Sequence, residues 1–173
     1  MMRALDISRL QITSPYVVVK QGDEYLFRTD SDILYAVSFQ QYDGISGITA
    51  YWFDLSNRSH LPSPNDKKVR ETVICIIEEF FHQNPDILLY MCSTDNNQQA
   101  QRSRLFLRWF NGYEQQQKYV LRAAEIPGAD PEGKPTSEYV AMIVPRTHPQ
   151  VQAIIDLFDE EIAMFQANKP QGA

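Results

Sequence analysis

Apolar and polar positions alternate through the first third of the chain. Tyr16 to Gln21 is apolar and β-branched, Gly22-Asp23 offers a turn, and Glu24 to Arg28 resumes the pattern, which predicts a hairpin. Beyond Asp30-Ser31-Asp32, the residues Ile33, Tyr35, Val37 and Phe39 alternate with smaller or polar neighbours as far as Gln41. That is the period of a half-buried strand. Asp43 to Gly47 interrupts it, and Ala50 to Leu55 is a fourth strand rich in aromatics. The pattern predicts an antiparallel meander.

The period then changes. Pro62 and Pro64 exclude regular structure between Asn57 and Asp66, and Asn65 or Asp66 can cap a helix. Val69, Val73, Ile76, Ile77 and Phe80 recur at helical spacing until Asn84-Pro85 stops them. Ile87 to Met91 is continuously apolar, which predicts a central strand covered on both faces. A second helix is expected from about Gln98 to Gly112, with the glycine as its terminator. Lys118 to Ile126 and Glu138 to Val144 read as two more strands, with Pro127 to Thr136 as a mobile loop between them. Pro149 opens a last helix with Val151, Ile154, Ile155, Phe158, Ile162 and Phe165 on one stripe. The expectation is a single α+β domain over residues 1–173. It has a mixed, mainly antiparallel sheet of about seven strands and three helices in the order ββββαβαββα.

One arginine breaks the pattern. On the helix from Gln98, the residues Gln98, Arg102, Leu105, Phe106 and Trp109 share a side, while Arg104 and Arg108 lie on another flank one turn apart. Arg102 therefore falls on the face expected to meet the sheet. A buried guanidinium keeps its charge and needs carboxylates or carbonyls within reach. Asp95, Asp86, Glu79 and the carbonyls around Ser93 and Thr94 are the candidates. The bland reading is a structural pin; the functional one is a cation at a ligand pocket; a third is a side chain that snorkels to solvent. The loop Ser93-Thr94-Asp95-Asn96-Asn97 precedes that helix, and its cap-forming residues outweigh an anion site, which Asp95 would oppose. Thr94, Asp95, Arg102, Arg104, Arg108 and Trp109 are the binding candidates.

Charge and composition narrow the classes. Sixteen Lys and Arg against twenty-two Asp and Glu give a formal charge of -6, which argues against non-specific binding to nucleic acid or to an anionic membrane. A weaker nucleic-acid reading rests on Arg104, Arg108, Lys118 and Arg122 with Trp109 stacking. Cys75 and Cys92 lie in apolar runs and read as small hydrophobes, not a disulfide framework. His60, His82 and His148 lack metal-site spacing, no glycine-rich phosphate loop follows a strand, and Asp159-Glu160-Glu161 reads as a solvated helix face. No metal is expected. With no signal peptide and no membrane-length apolar run, a cytoplasmic protein is expected.

Two resemblances add to this. Gln99-Ala100, Arg102, Arg104, Phe106 and Trp109-Phe110, behind the strand ending Tyr90-Met91-Cys92, resemble the signature of an uncharacterised bacterial domain family. The likeness is clearest over residues 66–110 and implies no activity. More loosely, the order of elements from Tyr25 to Val144 is similar to that of the GNAT acyltransferase superfamily. That resemblance implies acyl-CoA, held at a glycine-rich loop before the first of the two helices, and a tyrosine acid on the second. Here the loop Ser56 to Lys67 has no glycine and two prolines, and Phe106 stands nearest to the tyrosine. The leading expectation is a non-catalytic domain on a degenerate acyltransferase-like fold, binding a small ligand or a protein and needing no cofactor. The alternative is an N-acyltransferase using acetyl-CoA.

Overall fold

The computed structural model of the chain describes residues 2–43, 47–62, 65–93, 108, 110 and 112–167. Its elements are α1 (Ile7–Thr13), β1 (Val18–Gln21), β2 (Glu24–Arg28), β3 (Leu34–Tyr42), β4 (Ala50–Asn57), α2 (Lys67–Gln83), β5 (Ile87–Ser93), α3 (Tyr113–Lys118), β6 (Tyr119–Ala129), β7 (Pro135–Pro145) and α4 (Val151–Ala167). The strands form one seven-stranded sheet in the order β1-β2-β3-β4-β5-β7-β6. Every neighbouring pair is antiparallel except β4 with β5. This is the α+β class and the mixed, mainly antiparallel sheet that the alternation predicts.

The parallel pair is short. β4 and β5 match only from Ala50↔Ile87 to Phe53↔Tyr90. β4 then follows β3 as far as Asn57, and β5 follows β7 as far as Ser93. The sheet therefore parts between them after Phe53 and Tyr90.

Side chains alternate across strands, so β5 serves two cores. Leu88 joins the larger one, under α2, with Val69, Val73, Ile76, Ile77 and Phe80. Phe80 stacks on Phe39 with centroids 4.8 Å apart and meets Tyr51 edge-on. Such pairs add about 0.5–1.5 kcal/mol beyond burial. Ile87 and Leu89 join the second core, with Met142, Val144, Ile154 and Ile155, under α4. The β5 strand is thus interior and covered on both faces, as its continuous apolarity predicts.

Two expectations are corrected. Four helices stand among the described residues, not three. The additional α1 buries only Leu10, so it has no apolar stripe to read. The helix expected from about Gln98 to Gly112 lies mostly outside the described residues; Arg108 and Phe110 are helical, and Gly112 is extended and caps α3, with the Gln116 amide donating to its carbonyl at 3.0 Å. The expected loop from Pro127 to Thr136 is mostly hairpin, paired through Pro127↔Ser137 and Ala129↔Pro135 and closed by a turn in which Gly133 takes φ 83°. Prolines fit there because β6 is an edge strand and β7 meets β5 only from Glu138 onward, so neither ring removes a needed ladder donor.

Candidate functional site

α4 crosses the face of the sheet that carries Trp52 of β4, Leu89 and Met91 of β5, and Val140 and Met142 of β7. Its sequence stripe predicts burial along its whole length. Only its first turns achieve that: Ile154 is 1% exposed and Ile155 8%, whereas Phe165 is 59% exposed. Beneath the remainder lies a cavity of about 270 Å3. Leu157, Phe158, Ile162 and Phe165 roof it, and the Trp52 indole, edge-on to Tyr42 at 5.5 Å, closes one wall. Among the described residues Glu138 and Glu161 are its only charged lining residues, and both are exposed.

Both carboxylates sit in otherwise apolar rows. Glu138, Val140, Met142 and Val144 alternate along one face of β7. Ile154, Leu157, Phe158, Glu161, Ile162 and Phe165 fall at helical spacing along α4. Reading Asp159-Glu160-Glu161 as one solvated face hides this, because Glu161 alone of the three takes a stripe position and lines the cavity. The helical wheel carries that signal.

On the same sheet face, two residues past Trp52, Asp54 lies where β4 and β5 part. It stands in a row with Ser38 and Glu24, and Glu24 pairs with Arg58. Desolvation lifts the Asp54 carboxyl above its usual range; Arg58 opposes the shift and Glu24 adds to it.

The N-terminus of α2 is occupied by acid. Asp66 accepts the Lys68 amide at 2.8 Å and the Tyr16 hydroxyl proton. Lys68 is drawn to Asp30 at 3.0 Å, which raises its pKa. An incoming phosphate would meet two carboxylates there, cancelling much of the attraction that a helix N-terminus exerts on anions.

A wider opening of about 580 Å3 lies on the other side of the sheet, between α1, α2, α3 and the ends of β6 and β7. Its cations are already engaged: Arg9 with Glu79 at 3.6 Å, Lys118 with Glu78 at 3.8 Å, and Arg146 Nε with the Gln116 carbonyl at 2.6 Å. Cys75 borders it half-buried, its thiol pushed up by burial. The arrangement reads as packing between helices.

Of the candidates named from sequence, Thr94, Asp95, Arg102, Arg104 and Trp109 lie outside the described residues. Arg108 is helical and exposed. Glu79, a candidate partner for Arg102, takes the Asp6 amide, the Gln83 side chain and Arg9. Asp86 is half-buried and its carboxyl is raised by desolvation, with His148 opposing. His60 and His82 are exposed. Among the described residues no group of three His, Cys, Asp or Glu is placed to hold a metal ion. Nor is any helix among them long and apolar enough to cross a membrane.

The chain belongs to the family of unknown function DUF6169, which matches residues 65–160. That span runs from the start of α2 to the middle of α4, and so includes β5, β7 and most of the residues around the cavity. No curated protein and no solved structure matches the chain.

Proposed function

We propose that this protein is a non-catalytic binding domain whose ligand site is the cavity beneath α4. The observation that carries this is the mismatch between α4 and the sheet. An apolar stripe continues to Phe165, yet the sheet side chains below Leu157 leave an apolar hollow instead of packing against it. Interiors are close-packed, so an apolar hollow roofed by aromatic and aliphatic side chains gains contacts when a small molecule fills it. Its volume of about 270 Å3 suits a body the size of one aromatic ring with a short chain. Pockets for larger ligands run to roughly 300–1,000 Å3. The test is a titration of isotope-labelled protein with small aromatic fragments, followed by NMR. Shifts centred on Trp52, Leu89 and Phe158 are expected. Saturating fragments that leave these three unmoved would overturn the reading.

The second reading, an acyl-CoA-dependent N-acyltransferase, is favoured by a specific observation. The strand order and the parting of β4 from β5 after Phe53 and Tyr90 support the likeness to the GNAT fold. The acid-capped start of α2 and the glycine-free segment Ser56 to Lys67 speak against a bound pyrophosphate. Isothermal titration with acetyl-CoA, succinyl-CoA and longer acyl chains separates the two. No saturable binding at millimolar concentration is expected, and one-to-one binding in the micromolar range would put the acyltransferase first.

A further inference from the structure

We infer that the ligand of the α4 cavity is an amphipathic cation, a small amine with an aromatic or branched apolar body. This rests on the reading of the cavity as a ligand site and specifies what that site selects. The inference starts from where the charges fall. Two facing rows of side chains, Glu138 to Val144 on β7 and Ile154 to Phe165 on α4, are apolar except for a single carboxylate in each, Glu138 and Glu161. They come from elements that meet only through folding, and both line one cavity. Among the described residues no Lys, Arg or His lines it.

Among the described residues neither carboxylate has an ion-pair partner. Arg122 shares the sheet face, but it pairs with Met142 whereas Glu138 pairs with Ile126. Four residues of strand separate Arg122 from Ile126, roughly 13 Å at the usual rise. Among the described residues, the end of the hollow at Glu138 therefore carries carboxylate charge with no cation beside it.

The rest of the lining suits the same ligand. An ammonium at the solvent side keeps part of its hydration while it meets two carboxylates, so it avoids the cost of full desolvation. Its apolar body enters between Leu89, Met142 and Phe158. A carboxylate ligand of the same shape would face like charge at the same place. A neutral one would gain the burial and forgo the charge-assisted hydrogen bonds, which are roughly twice as strong as neutral ones.

The test uses, on the whole chain, three probes that share a phenylethyl body: 2-phenylethylamine, 2-phenylethanol and 3-phenylpropionate. Each is titrated calorimetrically and mapped by NMR at low salt. The amine should bind one-to-one, about tenfold tighter than the alcohol, and the carboxylate should be weakest. Glu138→Gln and Glu161→Gln alter exposed side chains and should leave folding intact. Each should weaken the amine severalfold, leave the alcohol unchanged, and reduce the dependence on salt. Equal binding of amine and alcohol at Trp52 and Leu89 would overturn the cation inference and leave the cavity reading standing. Amine binding unaffected by either glutamine variant would also overturn it. Absence of all three probes from the cavity at saturating concentration would overturn both.

Discussion

Glu79 on α2 accepts the backbone amide of Asp6 at 3.2 Å across 73 residues of sequence. The same carboxylate takes the Gln83 side chain at 2.9 Å and sits 3.6 Å from the Arg9 guanidinium. Its side chain is only 4% exposed, so the acid is held inside by the segment it binds. Asn84, one turn on, repeats the device: its amide oxygen accepts from the Arg3 amide at 2.7 Å and its nitrogen donates to the Arg3 carbonyl at 3.0 Å. Backbone groups of an otherwise short, weakly apolar segment are satisfied by side chains of the central helix. That is what brings Leu5 and Leu10 into the core.

Glu79→Ala should therefore cost about 1–3 kcal/mol, the penalty for stranding buried donors. Glu79→Gln keeps an acceptor and should cost less. Urea unfolding measures both, and amide exchange at Asp6 and Leu10 should quicken in the alanine variant. Alanine and glutamine variants of equal stability would sink the pinning account.

Phe80 has no exposed surface and touches Phe39, Tyr51 and Phe81. Phe80→Ala should cost about 3–5 kcal/mol, and Leu89→Ala about 2–5 kcal/mol. Leu89→Ala should in addition widen the α4 cavity and alter fragment binding there, while Phe80→Ala, on the other face, should not. Equilibrium denaturation and the NMR titration check the two together.

Tyr119 is held up to about 12 by burial, with Glu78 adding to the shift, against an ordinary value of 10.0. Its folded pKa exceeds its unfolded one. The stability it contributes is full below pH 10.0 and is lost as pH rises toward about 12. Tyr119→Phe should lose less stability than the parent over that window. Denaturant midpoints measured at several alkaline pH values compare the slopes; parallel slopes would contradict the prediction.

Asp54 carries the opposite consequence at neutral pH. Desolvation raises its carboxyl above 3.8, so the folded state prefers it protonated and its ionisation works against folding. Asp54→Asn should raise the melting temperature at pH 7, and the gain should vanish below pH 3.8, where both states carry the proton. A variant less stable at pH 7 would show that the charge is instead favourable there.

Much of the fold was legible in the sequence because burial leaves a period. The α2 stripe from Val69 to Phe80, the alternation through Tyr35, Val37 and Phe39, and the continuous apolarity of Ile87 to Leu89 each state which face is covered. Local cues also located the Gly22-Asp23 turn, where Gly22 takes φ 60°, and narrowed the α2 cap to Asn65 or Asp66, of which the fold uses Asp66. They misjudged Pro127 to Thr136 because proline is excluded from a strand only where a ladder donor is required. That depends on which strand lies alongside.

The candidate site was less legible for the same reason. A helical stripe records that Phe158, Glu161 and Phe165 share a side. It does not record that the sheet side chains beneath them leave a hollow, or that Glu138 of β7 lines it too. Nothing local distinguishes Glu79, buried and bonded to Asp6, from its half-buried neighbour Glu78. Sequence by itself determined the class, the strands, the central helix and the faces they bury, because side-chain periodicity is a property of neighbouring residues. Only the tertiary structure decided the partners: where β4 leaves β5, which acids are satisfied inside, and where α4 overhangs a hollow. Those depend on contacts between segments far apart in the chain, and a local pattern carries no information about them.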